Sequence, residues 1–497
     1  MVLDVTLPSL LALLACTDAL PGQDSGAPPL DGGGLSDGGG HSTSDGGASD
    51  GGSVDGGGSD GGGSDGGGSD GGSDPLFQDL SSRRYYYVES VVYARWDQSR
   101  DATVHVEYSF DEGQWLQTPA VERPPGTQEQ VLLGVPFGAQ VQWRLVGDGQ
   151  VVPADSPILA GEHPPDLPIA TVDVALSDRW LPGADFLLTS VNQEPGGWTR
   201  GTFWTVIYDR QGRAVWALET PDERWTMYAQ IARSGDHILW DANTYWSEWD
   251  DGAASRVFRR TLDQEWDNLS TPGLHHAFVQ LPDGRLAWGS QDHGGEEALV
   301  VKGFDEVDET VLWTCASDWP GSGDCASNGL YYHDATDRFL FSFYSNNSLV
   351  EIDHATGQSL WWAGEVDGGY TFTEGSLAFT WQHGVSWTEA GTLLLSSHVI
   401  DGGVDDTRVI EYQVDHHSRQ LTQVWSYSPG VYAGTNGDAW RLDNGNTLHT
   451  LGSAGHVFEV DPAGETVWHL SYAEAHMMGR SEWIPDLYAL VGATAPE

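Results

Sequence analysis

Short runs of alternating apolar and polar residues fill the chain from about Tyr85 onward, with Gly, Asp, Asn and Pro between them. Alternation with a period of two is typical of strands that bury one face, whereas an amphipathic helix repeats about every 3.6 residues. No long stretch of this sequence has the helical period. The pattern therefore predicts an all-β protein.

One hairpin pattern recurs six times, in which a strand enters a polar turn and returns on a strand that ends in tryptophan. Examples are "IYDRQGRAVWALE", "EIDHATGQSLWWAG" and "FEVDPAGETVWHLSY". The tryptophans recur about every 50 residues, at Trp216, Trp266, Trp313, Trp361, Trp425 and Trp468. That spacing suits one four-stranded sheet per repeat, so the repeats predict a six-bladed β-propeller with the tryptophans in the blade cores.

The segment before the repeats predicts a second, smaller domain. The stretches "ATVHVEYSFDEGQWLQTP" and "QEQVLLGVPFGAQVQWRLVGDG" resemble the strands of a fibronectin-like β-sandwich. A Pro-rich stretch follows, "VPADSPILAGEHPPDLPIA", and predicts a stiff linker around residues 153–170. We expect the sandwich over residues 75–165 and the propeller over residues 166–497.

The first 74 residues are expected to lie outside both domains. The apolar run "LPSLLALLAC" ends at Cys16 and is typical of a lipoprotein signal peptide, residues 1–16, cleaved before a cysteine that takes lipid. Asp4 and the lack of Lys or Arg before the run depart from this pattern, so a mis-assigned start or a disordered N-terminus is the alternative. Residues 17–74 are mostly a Gly/Ser/Asp repeat that cannot form a core, which predicts a disordered spacer.

This N-terminus predicts export. The apolar run is too short to span a bilayer, so the expected membrane attachment is the lipid alone. Thr17, rather than Asp, follows the cysteine, which favours an outer-membrane lipoprotein facing the periplasm or the cell surface. Cys315 and Cys325 are close enough in "CASDWPGSGDC" to close a disulfide in an oxidising compartment.

Charge and cysteine usage exclude several classes of function. The formal net charge is −51 and Lys302 is the only lysine. This balance argues against nucleic-acid binding, excludes a lysine nucleophile elsewhere and makes every other permanent cation an arginine. Neither Cys315 nor Cys325 has the repeated Cys/His neighbours of a zinc site, so no metal is expected.

Two histidines occupy equivalent places in two repeats. His276 precedes the turn glycine Gly284 by eight residues in "HHAFVQLPDGRLAWGS", and His383 precedes Gly391 by eight in "QHGVSWTEAGTLLLSS". In a third copy Gly437 stands at this place. A lone histidine at a strand start is usually a hydrogen-bonded turn residue, but equivalent points of different blades face one central channel. We therefore expect His276 and His383 to converge on one site.

The repeats resemble the bacterial aryl-sulfate sulfotransferases. The resemblance rests on the "IDHATGQSLWWAG" type of hairpin, the Gln-His element, the run "RLDNGNTLHTLGSAGHVFEVDPAGETVW" and the closing "RSEWIPDLY", and it covers roughly residues 170–490. It implies export, a six-bladed propeller behind a small sandwich and a disulfide near the active site. It also implies transfer of a sulfuryl group from a phenolic sulfate ester to a phenol, with no nucleotide donor, metal or organic cofactor.

The resemblance implies a role for each histidine. His383 matches the nucleophile that carries the group as sulfohistidine, and a neutral imidazole is nucleophilic near neutral pH. His276 matches the general acid/base that protonates the departing phenolate and later deprotonates the acceptor. Together they imply a ping-pong mechanism.

The chain departs from the family pattern at two positions. Where the family has His-x-Asn and then Ser-x-Arg, Asn328 matches the asparagine, but Ala326 stands for the histidine and Tyr344 for the arginine; a one-residue slip would put Cys325 there instead. Loss of one fixed donor costs roughly 3 to 4 kcal/mol of transition-state stabilisation. The reaction therefore needs substitutes, and the candidate substrate-binding groups are Tyr344, Thr450, His398 and Arg480.

Two further hypotheses belong to other classes. A binding or scaffold propeller that has lost efficient turnover follows from Ala326 and Tyr344. A quinone-dependent dehydrogenase propeller is weaker, because the adjacent cysteine pair and the eight tryptophan-docking repeats of that family are missing. The sequence leaves the natural phenols and the oligomeric state open.

Overall fold

The computed structural model describes residues 75–196, 201–221, 224–243, 255–293, 296–321, 324–401 and 404–492. The predicted signal peptide with Cys16, and the spacer over residues 17–74, lie outside these ranges. No helix within them is long and apolar enough to cross a membrane.

The N-terminal domain is a β-sandwich. In the described residues its strands are β1 (Phe77–Arg84), β2 (Val92–Gln98), β3 (Ala102–Phe110), β4 (Leu116–Gln117), β5 (Val121–Arg123), β6 (Gly126–Leu132), β7 (Gln140–Gly147), β8 (Gln150–Pro153) and β9 (Ile158–Leu159). One sheet has the order β1-β2-β6, and the other has the order β4-β3-β7-β8 with β5 on β3 and β9 on β7. Trp96 of the first sheet and Trp143 of the second belong to one core, as the fold prediction requires.

The Pro-rich stretch 153–170 differs from the predicted linker. Its Ile158–Leu159 pair is a strand on the edge of β7, and Ala160 is buried in the sandwich core. Leu167 is buried among propeller residues instead. Proline composition overstated the length of the linker, because the apolar residues between the prolines find partners in both domains.

The second domain is the six-bladed propeller that the repeats predict. In the described residues its strands are β10 (Ala170–Ala175), β11 (Phe186–Pro195), β12 (Phe203–Asp209), β13 (Ala214–Glu219), β14 (Ala229–Ile231), β15 (Ile238–Ala242), β16 (Arg256–Arg260), β17 (Glu265–Ser270), β18 (Leu274–Gln280), β19 (Leu286–His293), β20 (Glu296–Lys302), β21 (Thr310–Thr314), β22 (Ser327–His333), β23 (Arg338–Phe343), β24 (Ser348–Asp353), β25 (Ser359–Gly364), β26 (Thr371–Phe372), β27 (Thr380–Trp387), β28 (Leu393–Asp401), β29 (Val404–Asp415), β30 (Gln420–Tyr427), β31 (Asp438–Arg441), β32 (Thr447–Leu451), β33 (His456–Val460), β34 (Thr466–Tyr472), β35 (His476–Met478) and β36 (Glu482–Ile484). Short helices are Cys315–Asp318, Gly452–Ala454 and Leu487–Leu490.

The blades follow the chain order, and the ring is closed from both ends. Blade 1 holds β11–β13, blade 2 β14–β17, blade 3 β18–β21, blade 4 β22–β25, blade 5 β26–β30 and blade 6 β31–β34. The C-terminal strands β35 and β36 pair with β11 as the innermost strands of blade 1. The early strand β10 pairs with β34 on the outside of blade 6. Both chain ends of the propeller are therefore held in sheets.

The repeated tryptophans lie on the outermost strand of the four-strand repeat and join neighbouring blades. Four indole N–H groups donate to the outer hairpin of the next blade: Trp216 to Leu262 O at 3.0 Å, Trp313 to Ser359 Oγ at 3.0 Å, Trp425 to Pro462 O at 3.2 Å and Trp468 to Arg210 O at 3.0 Å. Trp361 donates within its own blade, to Glu351 Oε2 at 2.9 Å. The side chain of Trp266 lies outside the described part of the structure. In four of the six repeats, the tryptophan thus marks a hydrogen bond between neighbouring blades.

The hairpin turns after the innermost strands need glycine. Gly284, Gly391 and Gly445 have φ of 88°, 75° and 86°. This left-handed region is strained for residues with a side chain. The matching "DG", "AG" and "NG" turns are therefore needed for the fold, independently of the function of the propeller.

Candidate active site

Three innermost strands are interrupted by β-bulges. Register shifts occur where β18 pairs with β19, where β22 pairs with β23 and where β27 pairs with β28. A bulge adds a residue to one strand, bends it and re-aims the local side chains. The residues at these bulges include His276, Asn328 and His383.

These three side chains meet in a small chamber of the central channel. Its lining is Met227, Tyr228, His276, Asn328, His383, Asn436, Gly437, Asp438, Gly479 and Arg480. The volume is about 10 Å³, close to the space that one water molecule needs. The structure thus brings together His276, His383, Asn328 and Arg480, four of the residues singled out from the sequence.

His383 is a buried, neutral imidazole with a defined tautomer. Its Nδ1 lies 2.9 Å from the carbonyl oxygen of Trp381. A carbonyl only accepts, so Nδ1 carries the proton and Nε2 carries the lone pair. Burial, and to a smaller extent the neighbouring His398, lower the pKa of His383 to about 3. The ring is therefore uncharged at neutral pH.

The residues on either side of His383 explain why the Gln-His-Gly sequence is needed. Nε2 of Gln382 donates to Ser342 Oγ at 2.9 Å and to Ser348 O at 2.7 Å, which ties blade 5 to blade 4. Gly384 has a φ of 55°. A Cβ atom at 384 would lie 2.2 Å from Oδ1 of Asp438, in blade 6. The histidine is thus held between two neighbouring blades.

His276 belongs to a chain of buried polar groups. Its Nδ1 lies 2.5 Å from Nδ1 of His275, and Nε2 of His275 lies 3.2 Å from Oε1 of Glu297. Burial lowers the pKa of His276 well below its ordinary value, and charge on His275 or His383 acts in the same direction. The ring of Tyr344 lies 6.2 Å from that of His276, measured between centroids.

Asn328 has a fixed orientation in the chamber wall. Its Nδ2 donates to the carbonyl of Gln382 at 2.6 Å, and its Oδ1 accepts from Ser342 Oγ at 3.0 Å. The two bonds distinguish the amide nitrogen from the amide oxygen. Asn328 therefore holds a preset dipole beside His383.

Arg480 is the cation in the chamber wall. It is contributed by the segment between β35 and β36, and its Nε lies 3.4 Å from Oδ2 of Asp438. Its Nη1 donates to Gln230 Oε1 at 3.3 Å, and its guanidinium carbon lies 3.9 Å from the centre of the Trp440 ring. Burial raises the pKa of Asp438 to about 6, an effect that Arg480 opposes.

A second, wider cavity shares Arg480 with the chamber. Its volume is about 650 Å³, and its lining includes Gln230, Tyr331, Trp440, Arg480 and Glu482. Tyr331 and Trp440 lie further along their innermost strands than the chamber residues Asn328 and Asp438 do. The rings of Tyr331 and Trp440 are 5.9 Å apart between centroids, which provides an aromatic wall.

The other residues singled out from the sequence lie around the chamber. Thr450 pairs with Asp438 from β32, one strand behind the chamber wall, and is not among its lining residues. His398 packs beside His383 with ring centroids 6.1 Å apart. Tyr344 contacts His276, as described above. The predicted disulfide between Cys315 and Cys325 is present.

Ala326 directly follows this disulfide, and its N–H donates to Ser345 Oγ at 2.9 Å. Cys325 is bonded to Cys315, so it has no free thiol to replace the histidine that the resemblance leads us to expect here. Arg480, from a different blade than Tyr344, places a cation at the chamber.

Sequence reasoning missed three polar residues of the site. His275 was visible beside His276 in "HHAF", but nothing indicated that the two rings would touch. Glu297 and Asp438 had no signal, because an acidic residue in a strand of this acidic chain is ordinary. Among the described residues, no group of three or more His, Cys, Asp or Glu side chains is placed to hold a metal ion.

Comparison with protein-family models gives no match, and neither does comparison with curated proteins. Solved structures are similar to this chain only at low identity and low TM-score. A protein of unknown function from Bacteroides caccae is 15% identical with a TM-score of 0.39, covering 60% of this chain and 98% of its own. The β-propeller domain of Cps50 (Swd1) from Myceliophteria thermophila is 14% identical with a TM-score of 0.35, covering 61% and 86%. Streptogramin B lyase is 13% identical with a TM-score of 0.35, covering 58% and 89%. At these values, no activity is inferred from them.

Proposed function

We propose that the protein is an exported aryl-sulfate sulfotransferase that works by a ping-pong mechanism, with His383 as nucleophile and His276 as general acid/base. The observation that carries the proposal is the tautomer of His383. Its Nδ1 carries the proton and donates to the carbonyl of Trp381, so the lone pair on Nε2 is the reactive position of a neutral ring. His276 lines the same chamber.

In the first half-reaction, Nε2 of His383 attacks sulfur, the bond from sulfur to the aryl oxygen breaks and a phenolate leaves. In the second, the acceptor oxygen attacks sulfur, the bond from sulfur to nitrogen breaks and the acceptor proton passes to His276. His276 then returns this proton to phenolate or solvent. Since the pKa of His276 is lowered, its ring is neutral at rest near pH 7 and cannot act as a strong acid toward the first phenolate, so donors with acidic phenols should react fastest.

Arg480 and Asn328 are the donors that we assign to the sulfuryl oxygens. Both line the chamber with the two histidines, and donors that are already fixed stabilise developing charge without reorganisation. Arg480 takes the place of the cation that Tyr344 does not provide. Thr450 and His398 act, in this proposal, through the chamber wall and not on the substrate.

The sizes of the two cavities support an assignment of the two parts of the substrate. The chamber of about 10 Å³ excludes an aromatic ring, whereas the adjoining cavity of about 650 Å³ accommodates one. We assign the ring to the wide cavity, against Tyr331 and Trp440, with the sulfuryl group directed past Arg480 toward His383. Aromatic contacts of this kind contribute about 0.5 to 1.5 kcal/mol beyond burial.

The second candidate is a ligand-binding or scaffold propeller without efficient turnover. The observations that favour it are the narrow chamber and the replacement of two family donors by Ala326 and Tyr344. Such a protein would bind a phenol in the wide cavity and transfer nothing. The spacer predicted for residues 17–74 suits either candidate.

The deciding experiment measures acceptor-dependent release of a coloured phenol from an aryl sulfate. We expect release that requires an acceptor phenol and disappears in His383→Ala. His416→Ala is the matched control, because His416 is exposed on an outer hairpin, and it should keep full activity. Release at the buffer rate by folded wild-type protein, with phenol binding intact, would instead support the binding propeller.

Export as a lipoprotein is part of the proposal. The Cys315–Cys325 disulfide supports it, since disulfides persist mainly in oxidising compartments. Labelled palmitate should enter the wild-type protein and should be absent from Cys16→Ser. Equal labelling of both proteins would contradict the assignment.

A further inference from the structure

A buried carboxylate lies behind the two adjacent histidines. Glu297, on β20, is 5% exposed and His275 is 4% exposed. Oε1 of Glu297 accepts from Ser327 Oγ at 2.7 Å, and Oε2 accepts from the backbone N–H of Ser327 at 3.2 Å. With His275 Nε2 at 3.2 Å, three groups converge on this carboxylate. Glu297 is therefore held in place independently of the histidine.

The hydrogen-bond partners determine where the protons lie. A carboxylate accepts, so Nε2 of His275 carries a proton and donates to Glu297. In the neutral ring, Nδ1 of His275 is then the acceptor. Nδ1 of His276, 2.5 Å away, must donate to it. The lone pair of His276 is therefore on Nε2.

We infer that Glu297 and His275 are positioning residues, which set the tautomer of His276 and stabilise the positive charge that it acquires from the acceptor phenol. This inference rests on the proposed function. As the acceptor oxygen bonds to sulfur and the bond from sulfur to His383 breaks, the hydroxyl proton moves to Nε2 of His276. The Nδ1 proton strengthens its bond to His275, and Glu297 balances the resulting charge. No other reactant is needed.

The neighbouring backbone preserves space for this relay. A Cβ atom at Gly289, on β19, would lie 2.6 Å from Ser327 Oγ and 2.9 Å from Glu297 Oε1. Burial of an acidic group is unfavourable unless it is fully hydrogen-bonded. An apolar side chain at this position would hold blades 3 and 4 together just as effectively as Glu297 does. Packing alone therefore does not explain why the side chain here is acidic.

The first test measures the tautomer directly, in resting protein without substrate. Protein labelled with ¹⁵N in the imidazole rings is examined by two-bond proton–nitrogen correlation spectra, with His276→Gln used to assign the signal. We expect the His276 proton on Nδ1 and the lone pair on Nε2. A proton on Nε2 of neutral His276 overturns the inference. Because no turnover is involved, this result stands even if sulfuryl transfer is not found.

The second test changes the carboxylate. In Glu297→Gln, an amide that donates to His275 reverses the hydrogen-bond chain and moves the His276 proton to Nε2, as an amide does in other histidine relays. The acceptor half-reaction should slow about 10²- to 10⁴-fold, whereas the first release of phenolate, one equivalent per protein, should persist. Glu296→Gln is the matched control, since Glu296 is the exposed neighbour on the same strand.

The two failures are distinguishable. Suppose that neither Glu297→Gln nor Glu296→Gln transfers sulfuryl groups, but the His276 signal differs from wild type in Glu297→Gln only. The proposed reaction then fails and the relay stands. If Glu297→Gln transfers sulfuryl groups as fast as Glu296→Gln, the relay fails and the reaction stands. If the His276 signal is the same in both variants, the relay fails whether or not transfer is found. If Glu297→Gln does not fold, Ser327→Ala is the second variant, because it removes the hydroxyl donor to Glu297. The NMR signal of His276 should then shift in the same direction as in Glu297→Gln, by a smaller amount.

Discussion

Nδ1 of His383 lies 2.9 Å from the carbonyl oxygen of Trp381, two residues earlier in the same strand. Trp381 has a φ of 42°, a left-handed conformation that is uncommon for a residue with a bulky side chain. The backbone, rather than another side chain, therefore sets the tautomer of the proposed nucleophile. The lone pair on Nε2 should survive substitution of most surrounding side chains.

Replacement of Arg480 tests the cation in the chamber. Arg480→Gln should lower kcat for sulfuryl transfer about 100- to 1000-fold, because one fixed donor to the transition state is lost. The measurement is steady-state kinetics at saturating donor and acceptor. Arg441→Gln is the control: Arg441 lines the wide cavity but pairs with Glu411, so its kcat should stay near wild type. A kcat within threefold of wild type for Arg480→Gln would remove Arg480 from the mechanism.

Replacement of Tyr331 tests the assignment of the aromatic ring to the wide cavity. Tyr331→Ala should raise KM for aryl sulfates up to about tenfold and leave kcat unchanged, because the contact with the ring is the same in the ground and transition states. Tyr86→Ala is the control, since Tyr86 is 84% exposed on the sandwich. An unchanged KM in Tyr331→Ala would place the ring elsewhere.

Removal of the disulfide should lower stability and activity together. The bond closes the loop between Cys315 and Cys325, and a loop of this size stabilises a fold by about 3 kcal/mol in the chain-entropy account. Cys315→Ser with Cys325→Ser should therefore unfold at lower urea concentration. Its kcat should fall as well, since Asn328 lies three residues beyond Cys325. Wild-type protein under strong reductant should show the same loss of stability and of kcat as the double serine variant. A difference between reduced wild type and the variant would mean that the serines, and not the lost bond, cause the effect.

Buried His449 should make stability depend on pH. Its Nε2 lies 3.0 Å from Ser396 Oγ, and burial lowers its pKa to about 3. The unfolded chain therefore takes up the proton first as pH falls. The stability contributed by neutral His449 is complete above about pH 6.5 and is lost at lower pH, at up to about 1.4 kcal/mol per pH unit.

The variant that isolates this effect is His449→Gln. The free energy of unfolding in urea is measured for both proteins from pH 7.5 to pH 5. The destabilisation of the variant relative to wild type should be largest at pH 7.5 and should shrink toward pH 5. A difference that is constant over this range would show that His449 has the same pKa in the folded and unfolded chain.

The fold could be predicted from sequence because each blade repeats one physical requirement. The outer strand needs a tryptophan that reaches the next blade, as Trp216 and Trp468 do, and the inner hairpin needs a glycine with positive φ. Each of these two requirements places one residue type, tryptophan or glycine, at a regular spacing in the sequence. The Pro-rich stretch 153–170 gave no such signal, and its strand on β7 was missed.

The candidate site could be predicted only in part. His276 and His383 were detectable because they occupy the same place in two repeats. Glu297 was not, since it follows Glu296 and only the pairing of β20 with β19 decides which of the two side chains is buried. Arg480 was a candidate from the closing sequence motif, but its place in the chamber depends on the return of the C-terminal strands to blade 1, which no local pattern indicates.

The central claim is that His383 carries the sulfuryl group. The most direct measurement is mass spectrometry of protein mixed with an aryl sulfate and no acceptor, then digested in phosphate-free buffer, since phosphoryl and sulfuryl groups have nearly the same mass. We expect one SO₃ adduct on the peptide that contains His383, lost on addition of a phenol and missing in His383→Ala. An adduct on His276 instead, or unmodified His383 while phenol transfer proceeds, would contradict the account.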